Sequence, residues 1–406
     1  MSIKGWPLRR LGGCAKFLSG GTPSKARAEF WEGDIPWVSS GEMAQMRIHD
    51  TPLRITGEGA EDGSRLVPAN TVLAVVRGMS LAKEFRVAIT KREVAFNQDL
   101  KAFQCKPDVD SEFLFYALFA RREHIRELAT EASHGTKKLE TDVLAAVELP
   151  VPTLDVQLRT VAVASAYDDL IENNRRRIAL LEEAARQVYR EWFVCLRFPG
   201  HEHTRIVDNI PEGWQRKKMS NICESVGGGT PSTLRPEFWD DGEITWVTPT
   251  DITQNDCLAL LDSEKKITEA GLKNSSAKML PSETILMTSR ASLGFFGLVD
   301  REVCTNQGFI SVIPHEENLR MYLLQNLISR REEIIGKASG ATYKEINKST
   351  FRDLDIVIPP PTIVEEFQLF AYDMLKQTRL LKKQMEKARA ARDLLLPRLM
   401  SGEIRA

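Results

Sequence analysis

The sequence predicts an α+β protein: two duplicated mixed α/β domains separated by two long helices packed as an antiparallel coiled coil. Three observations predict it. The stretch GGTPSKARAEFWEGDIPWV from Gly20 returns as GGTPSTLRPEFWDDGEITWV from Gly228. Within each copy, short β-rich runs such as TVLAVV and TILMTS alternate with Gly, Pro, Asn and Asp punctuation, the pattern of strands joined by loops. After each copy, apolar residues recur at steps of three and four, the spacing of one helical face.

The repeat keeps its order along the chain. Trp6 after Gly5 matches Trp214 after Gly213, IPWV at Ile35 matches ITWV at Ile244, and LVPANTVL at Leu66 matches MLPSETIL at Met279. Arg77 matches Arg290, REVAFNQ ending at Gln98 matches REVCTNQ ending at Gln307, and VELPVPT at Val147 matches DIVIPPPT at Asp355. Each copy is of domain size, so this is a duplicated globular domain and not a solenoid of short repeats. The predicted division is residues 1–153 for the first domain, 154–196 for a central spacer helix, 197–361 for the second domain and 362–406 for a distal spacer helix.

Each copy is expected to close with a helix, SEFLFYALFARREHIRELA in the first and NLRMYLLQNLISRREEII in the second. In the central helix the predicted seam is Val163, Tyr167, Leu170, Asn174, Ile178, Leu181, Ala185, Val188 and Trp192, with a stutter between Asn174 and Ile178. The distal seam is Ile363, Phe367, Phe370, Met374, Thr378, Leu381, Met385 and Ala388, and Pro397 is expected to break or end it. Two such stripes in one chain are buried most economically against each other, with the domains at opposite ends. That plan suits a long, roughly twofold ligand such as duplex DNA.

Composition sets the bounds. A chain of 406 residues, 42% apolar and 27% charged, has the makeup of an ordinary globular protein of two or three domains. No apolar run reaches bilayer length and the start MSIKGWPLRR lacks a signal-peptide core, so the expected location is the cytoplasm, away from any membrane. A net charge of −1 leaves nucleic acid open, because a binder needs a basic face and not a basic total. Such faces can come from Arg175 to Arg177, Arg216 to Lys218, or Arg121-Arg122 with its echo Arg330-Arg331; a solvated helix surface is the other reading of each.

Catalytic motifs are missing: there is no amino-methylation motif, no glycine-rich cofactor loop and no phosphate loop with its lysine. The cluster Asp262, Glu264 and Lys266 imitates a nuclease metal site, but the matching TPLRIT of the first copy lacks the acids. His201 and His203 have no third ligand nearby, and the six cysteines form no C-x-x-C pair, so no metal site is predicted.

LLEEAARQVYREWFVCLRFPGHE from Leu180, IPEGWQRKKM and the terminal LLLPRLMSGEIRA resemble the specificity subunits of type I restriction-modification enzymes, and the likeness covers the whole chain. The twin GGTPS, NQ and P-x-P landmarks fall where that family's two target-recognition domains carry theirs. The resemblance implies a noncatalytic subunit that reads a bipartite, asymmetric site on double-stranded DNA, one half per domain. It implies helices that set the gap and dock two methylation subunits, with restriction subunits joining the assembly. It implies no cofactor on this chain, with S-adenosylmethionine, ATP and Mg2+ held by the partner subunits. The competing reading is a coiled-coil scaffold joining two protein-binding domains.

If the two domains read different half-sites on one scaffold, shared residues should hold the fold or grip phosphate, and differing residues in matching loops should read bases. Thr22, Ser24 and the neighbouring Lys25, with Thr230 and Ser232, form a shared turn that is either a phosphate site or a plain turn. Arg77 and Arg290 begin the divergent loops RGMSLAKEF and RASLGFFG, which carry Ser80, Lys83 and Ser292 and rank first as readers. Asn97-Gln98 and Asn306-Gln307 either contact adenine or serve the backbone. Lys137 and Lys138 are set against Tyr343 and Lys344, giving a shared cation at the second position and readout or stacking at the first. Leu180, Tyr189, Trp192 and Phe193 are the expected subunit-docking residues.

Overall fold

A computed structural model of the chain describes residues 6–132, 135–340 and 344–405. By contact the chain divides into two compact units, Met1–Leu170 with Lys387–Ala406, and Ile171–Glu386.

In the first unit a five-stranded sheet runs in the order Ala15–Ser19, Leu100–Cys105, Val72–Val75, Val87–Thr90, Arg47–Ile48. Its middle strand is buried on both faces, which is why it reads as the unbroken apolar run VLAV. Side chains alternate across a strand. Val72 and Ala74 accordingly join the core shared with Phe113, Leu114 and Leu396, whereas Leu73 and Val75 join a second core with Val38 and Phe96. A four-stranded sheet completes that second layer in the order Arg54–Ile55, Ile35–Val38, Val94–Phe96, Leu66–Val67.

The second unit repeats the plan. Cys223–Val226, Phe309–Pro314, Ile285–Thr288 and Phe296–Leu298 form one sheet, and Lys265–Ile267, Ile244–Val247 and Cys304–Thr305 another. The registers coincide. Phe103 lies opposite Val72 as Val312 lies opposite Ile285, and the parallel pair Trp37 and Ala95 returns as Trp246 and Cys304.

The helix expected to close each copy is instead broken at the same point in both. It forms Ser111–Ala120 and Arg122–Glu127 around Arg121, and Arg320–Ser329 and Arg331–Gly336 around Arg330. Arg330 holds its turn by donating to Glu333 and to the backbone oxygen of Asp355, at 2.7 Å each. Short strands and one further helix follow in the first unit before its last strand, Glu148–Pro150.

The long helices are Leu154–Tyr189, ending in a wide π turn over Arg190–Val194, and Pro361–Met400. Within the first unit Asp168 meets Arg392, and Ala164 shares its core with Leu396 and Met400. Within the second, Asn174 reaches Gln384 and the Tyr189 ring sits 5.9 Å from that of Phe367. In each unit, therefore, the two helix segments run antiparallel.

The seams differ from the expected ones over half their length. Gln157, Thr160, Ala164 and Asp168 are buried, while Val163 and Leu170 are exposed. Polar residues hold the inner positions because each has a partner. Gln157 accepts from the Asp110 amide and donates to the carbonyls of Asp108 and Pro152, Thr160 donates to the Val156 carbonyl, and Asp168 pairs with Arg392. With these included the buried positions step by 3, 4, 4, 3, 3 and 4 from Gln157 to Ile178, so the consecutive fours fall at Thr160, Ala164 and Asp168 and not at Asn174. In the distal helix Val364, Phe367, Ala371 and Leu375 are buried, one position on from Ile363, Phe370 and Met374. Pro397 does not end that helix, which runs to Met400. Proline removes one backbone donor, and the burial of Leu396, Leu399 and Met400 in the first unit holds the last turn. Among the described residues no helix is long and apolar enough to cross a membrane.

Candidate nucleic-acid interface

The shared Gly-Gly-Thr-Pro-Ser turn is stapled by tryptophan in both units. Trp37 Nε1 donates to the Gly21 oxygen at 3.2 Å, and Trp246 Nε1 to the Gly229 oxygen at 2.9 Å. A second tryptophan packs edge-on against each and donates to the serine oxygen of the turn: Trp31 to Ser24 and Trp239 to Ser232. The turn also closes on the Asn-Gln landmark. Thr22 Oγ1 donates to Gln98 Oε1 and Thr230 Oγ1 to Gln307 Oε1, both at 2.6 Å. A Cβ on Gly20 would stand 2.2 Å from the Phe96 oxygen and one on Gly228 2.1 Å from the Thr305 oxygen, so only glycine permits this approach. The asparagines serve the backbone. Asn97 is buried and accepts from the Asp99 amide, and Asn306 accepts from the Gly308 amide. Outward on this turn are Ser24, Lys25, Thr230 and Ser232, all exposed, with the Thr230 hydroxyl taken up by Gln307.

Arg77 and Arg290 occupy equivalent places. Each follows the central strand of its sheet, and each is exposed. The residue after it has positive φ, 129° at Gly78 and 60° at Ala291, so the chain turns sharply out of the sheet. In the first unit Arg77–Gly78 pairs with Lys137–Lys138, which brings three expected DNA contacts onto one strip, and the helix Ser80–Lys83 follows directly. Arg126 Nη1 fastens that helix by donating to the Lys83 oxygen at 3.0 Å. In the second unit Thr288 Oγ1 donates to the Ser292 oxygen and accepts from the Phe295 amide, and Arg331 Nε donates to the Gly294 oxygen at 2.9 Å. Both loops are thus anchored from the helix beyond the arginine break.

The register corrects one expected match. The Leu139 amide donates to the Val76 oxygen, and the Ile346 amide donates to the Ser289 oxygen, the equivalent bond. Lys137 therefore corresponds to Lys344, and Lys138 to Glu345. Matching by lysines misplaces them because the second copy has two more residues between its glycine and its lysine, Gly340 to Lys344 against Gly135 to Lys137. Tyr343 lies outside the described residues.

Beside Arg290 the second unit has a cleft of ≈ 490 Å³ lined by Arg290, Ser292, Asn306, Thr248, Thr250 and Lys265, among others. Hydroxyl, amide and cationic groups converge there without an aromatic wall, a lining suited to polar edges and phosphates. Glu264 also lines it. Its supposed nuclease partner Asp262 accepts from Thr245 Oγ1 at 3.3 Å and pairs at 3.2 Å with Lys266, the third member of that cluster.

The model of the type I restriction modification DNA specificity domain matches residues 3–183 and 211–386. The chain belongs to that family. The MjaIX specificity subunit of Methanocaldococcus jannaschii is 26% identical over 99% of this chain and 94% of its own length. The EcoR124I/EcoR124II specificity subunit of Escherichia coli is 30% identical over 40% of this chain and 41% of its own. A type I restriction-modification S subunit from M. genitalium, of known crystal structure, covers 98% of this chain with 96% of its own at a TM-score of 0.60 and 16% identity, a likeness of fold.

This specificity subunit has two recognition domains, and the remaining candidate residues lie on its helices. Leu180 is 69% exposed, but Tyr189 is 3% exposed and its hydroxyl accepts from Asn326 Nδ2. Phe193 packs against Tyr189, Tyr322, Phe367 and Trp214, and Trp192 touches Phe193 and Phe367. Tyr189 thus works inside the second unit, Trp192 and Phe193 are half-buried against its aromatic cluster, and Leu180 is the most exposed member of the expected docking set. Thr248, Lys265 and Glu345 escaped the sequence reading. Only the longer Gly340 to Lys344 spacing pointed to the last.

Proposed function

We propose that this specificity subunit reads a bipartite, asymmetric site on double-stranded DNA in the cytoplasm, one half with each of the domains at residues 1–153 and 197–361. The helices over 154–196 and 362–406 set the gap between the halves and dock two methylation subunits, which hold S-adenosylmethionine. Restriction subunits that use ATP and Mg2+ complete the assembly. The chain itself is noncatalytic on this reading.

The observation that supports it most is a contrast between two matching places. The tryptophan-stapled turn and the Thr-Gln bond are the same in both units. The loops that leave Arg77 and Arg290 differ in sequence and in form, the first carrying the helix Ser80–Lys83 and the second running through turns to the strand Phe296–Leu298. A shared frame with divergent exposed loops is what two readers of different half-sites require.

The test is filter binding on random duplex at rising salt, followed by sequencing of methylated adenines in a host carrying the chain with its partners. Retention should fall steeply with salt and the methylated site should have two defined parts. Absence of salt-dependent retention would favour the scaffold of two protein-binding domains.

A further inference from the structure

Two strips that share a backbone register carry opposite charge at one position. Arg77 lies across the ladder from Lys138, and Arg290 across from Glu345. The flanking cation is constant, Lys137 in one unit and Lys344 in the other.

The fold explains neither choice. Like charges directly opposite each other on paired strands are unfavourable, so Lys138 gains nothing from facing Arg77, and it turns to Glu140 at 2.7 Å. Glu345 stands 3.9 Å from Arg290, too long for a hydrogen bond, with the side chains 47% and 51% exposed. An ion pair so open to water contributes little. Both groups of the second strip therefore stay available to a ligand.

Their chemistry toward a base edge is complementary. A guanidinium only donates and a carboxylate only accepts. Among phosphates a carboxylate is repelled unless it meets a donor, and in the major groove the donors are the exocyclic amino groups of cytosine and adenine. Opposite a keto oxygen it would set lone pairs against lone pairs, which rejects that base.

We propose, resting on the half-site reading above, that the residue facing the shared arginine selects the base beside the one the arginine contacts. Glu345 requires an amino-bearing base, cytosine or adenine, in the second half-site. Lys138 takes an acceptor edge, guanine first, in the other half. Lys137 and Lys344 are the phosphate contacts common to both.

The experiment is a selection from duplexes of randomised sequence at fixed salt, using the full chain alone and co-purified with its methylation subunits. Wild type, Glu345→Gln, Lys138→Glu and Lys344→Ala are compared, each shown to be folded by circular dichroism. For Glu345→Gln the expected result is a roughly tenfold or greater loss of preference at a single base pair of one half-site, with every other position kept. Lys138→Glu should move one base pair in the other half, and Lys344→Ala should weaken all duplexes alike. Unchanged preferences for Glu345→Gln, or an equal loss on every duplex, would overturn the inference while leaving the half-site reading intact, whereas changes from both variants in the same half would overturn both. If wild type enriches no site in either preparation, the half-site reading falls and the inference with it.

Discussion

Asp168 of the central helix and Arg392 of the distal helix form an ion pair in the interior of the first unit, Oδ1 to Nη1 at 2.6 Å with both side chains 8% exposed. Tyr116 donates its hydroxyl to the other carboxylate oxygen at 2.6 Å, and Arg47 bonds to that hydroxyl at 3.1 Å. Burial works against the charge on Arg392, yet the hydrogen bond and charge of Asp168 outweigh it and hold the guanidinium above the ordinary arginine value. The helix pair is thus fastened by a polar clasp where a coiled coil would ordinarily place an aliphatic layer.

Removing one partner of such a pair leaves the other charge buried and unmatched. Asp168→Ala should cost about 3 to 5 kcal/mol of stability, concentrated in the first unit. Urea unfolding combined with hydrogen exchange would locate it. A loss below about 1 kcal/mol, or one spread evenly over both units, would mean that the clasp contributes little.

Much of this fold was legible because the duplication checks itself. Each strand read in one copy could be sought in the other, and the structure pairs them alike, Trp37 with Ala95 and Trp246 with Cys304. The helix seams were harder. Periodicity weighs apolar residues, so it favoured Val163 and Leu170 over Gln157 and Asp168, whose burial depends on partners distant in sequence. The match of the strips beside Arg77 and Arg290 failed for a related cause. Cross-strand neighbours such as Arg77 with Lys138 are set by backbone pairing, and an inserted pair of residues near Gly340 shifted the match by one. Thr22 and Gln98 each drew attention singly, but nothing in the sequence says that they bond to each other.

The second break residue makes a prediction about acid. The Arg330 hydrogen bond, with its charge and that of Lys337, lowers the Glu333 carboxyl from the ordinary 4.5 to about 2. A carboxylate depressed in this way stabilises the fold above its unfolded value and gives that contribution up as pH falls from about 4.5 towards 2. Glu333 is 41% exposed, so solvent screening keeps the effect to about 1 kcal/mol or less. Between pH 5 and pH 3, Glu333→Gln should lose less of its urea midpoint than wild type does. Equal losses in the two proteins would place the acid sensitivity elsewhere.

Subunit docking separates two neighbouring aromatic and aliphatic positions. Phe193 sits 4.8 Å from Tyr322 and 5.1 Å from Phe367, ring to ring, so Phe193→Asp should destabilise the second unit and lower its thermal midpoint by several degrees or more. Leu180 is 69% exposed, and Leu180→Asp should leave the midpoint within a degree or two while weakening co-purification of methylation subunits. A Leu180→Asp protein that still co-elutes at full stoichiometry on size exclusion would remove that residue from the docking surface.

The strongest test of separate readers is an exchange confined to one loop. Residues 77 to 86 leave the central strand at Arg77, pass through the helix Ser80–Lys83 and return to the sheet beyond Phe85. Leu81 and Phe85 are 0% and 1% exposed and belong to the first unit's core, so a replacement loop must keep both. Met79 is 73% exposed, and Arg77, Ser80 and Lys83 share the same excursion, which leaves these positions free to differ without disturbing the packing beneath. A loop taken from a relative with another target, with Leu81 and Phe85 retained, should alter one half of the methylated site and leave the other half as it was. The second unit's loop has its own anchors, at Thr288 and Arg331. Sequencing methylated adenines in cells carrying the exchanged chain would read both halves at once, and a change in both would refute the assignment of one half-site to each unit.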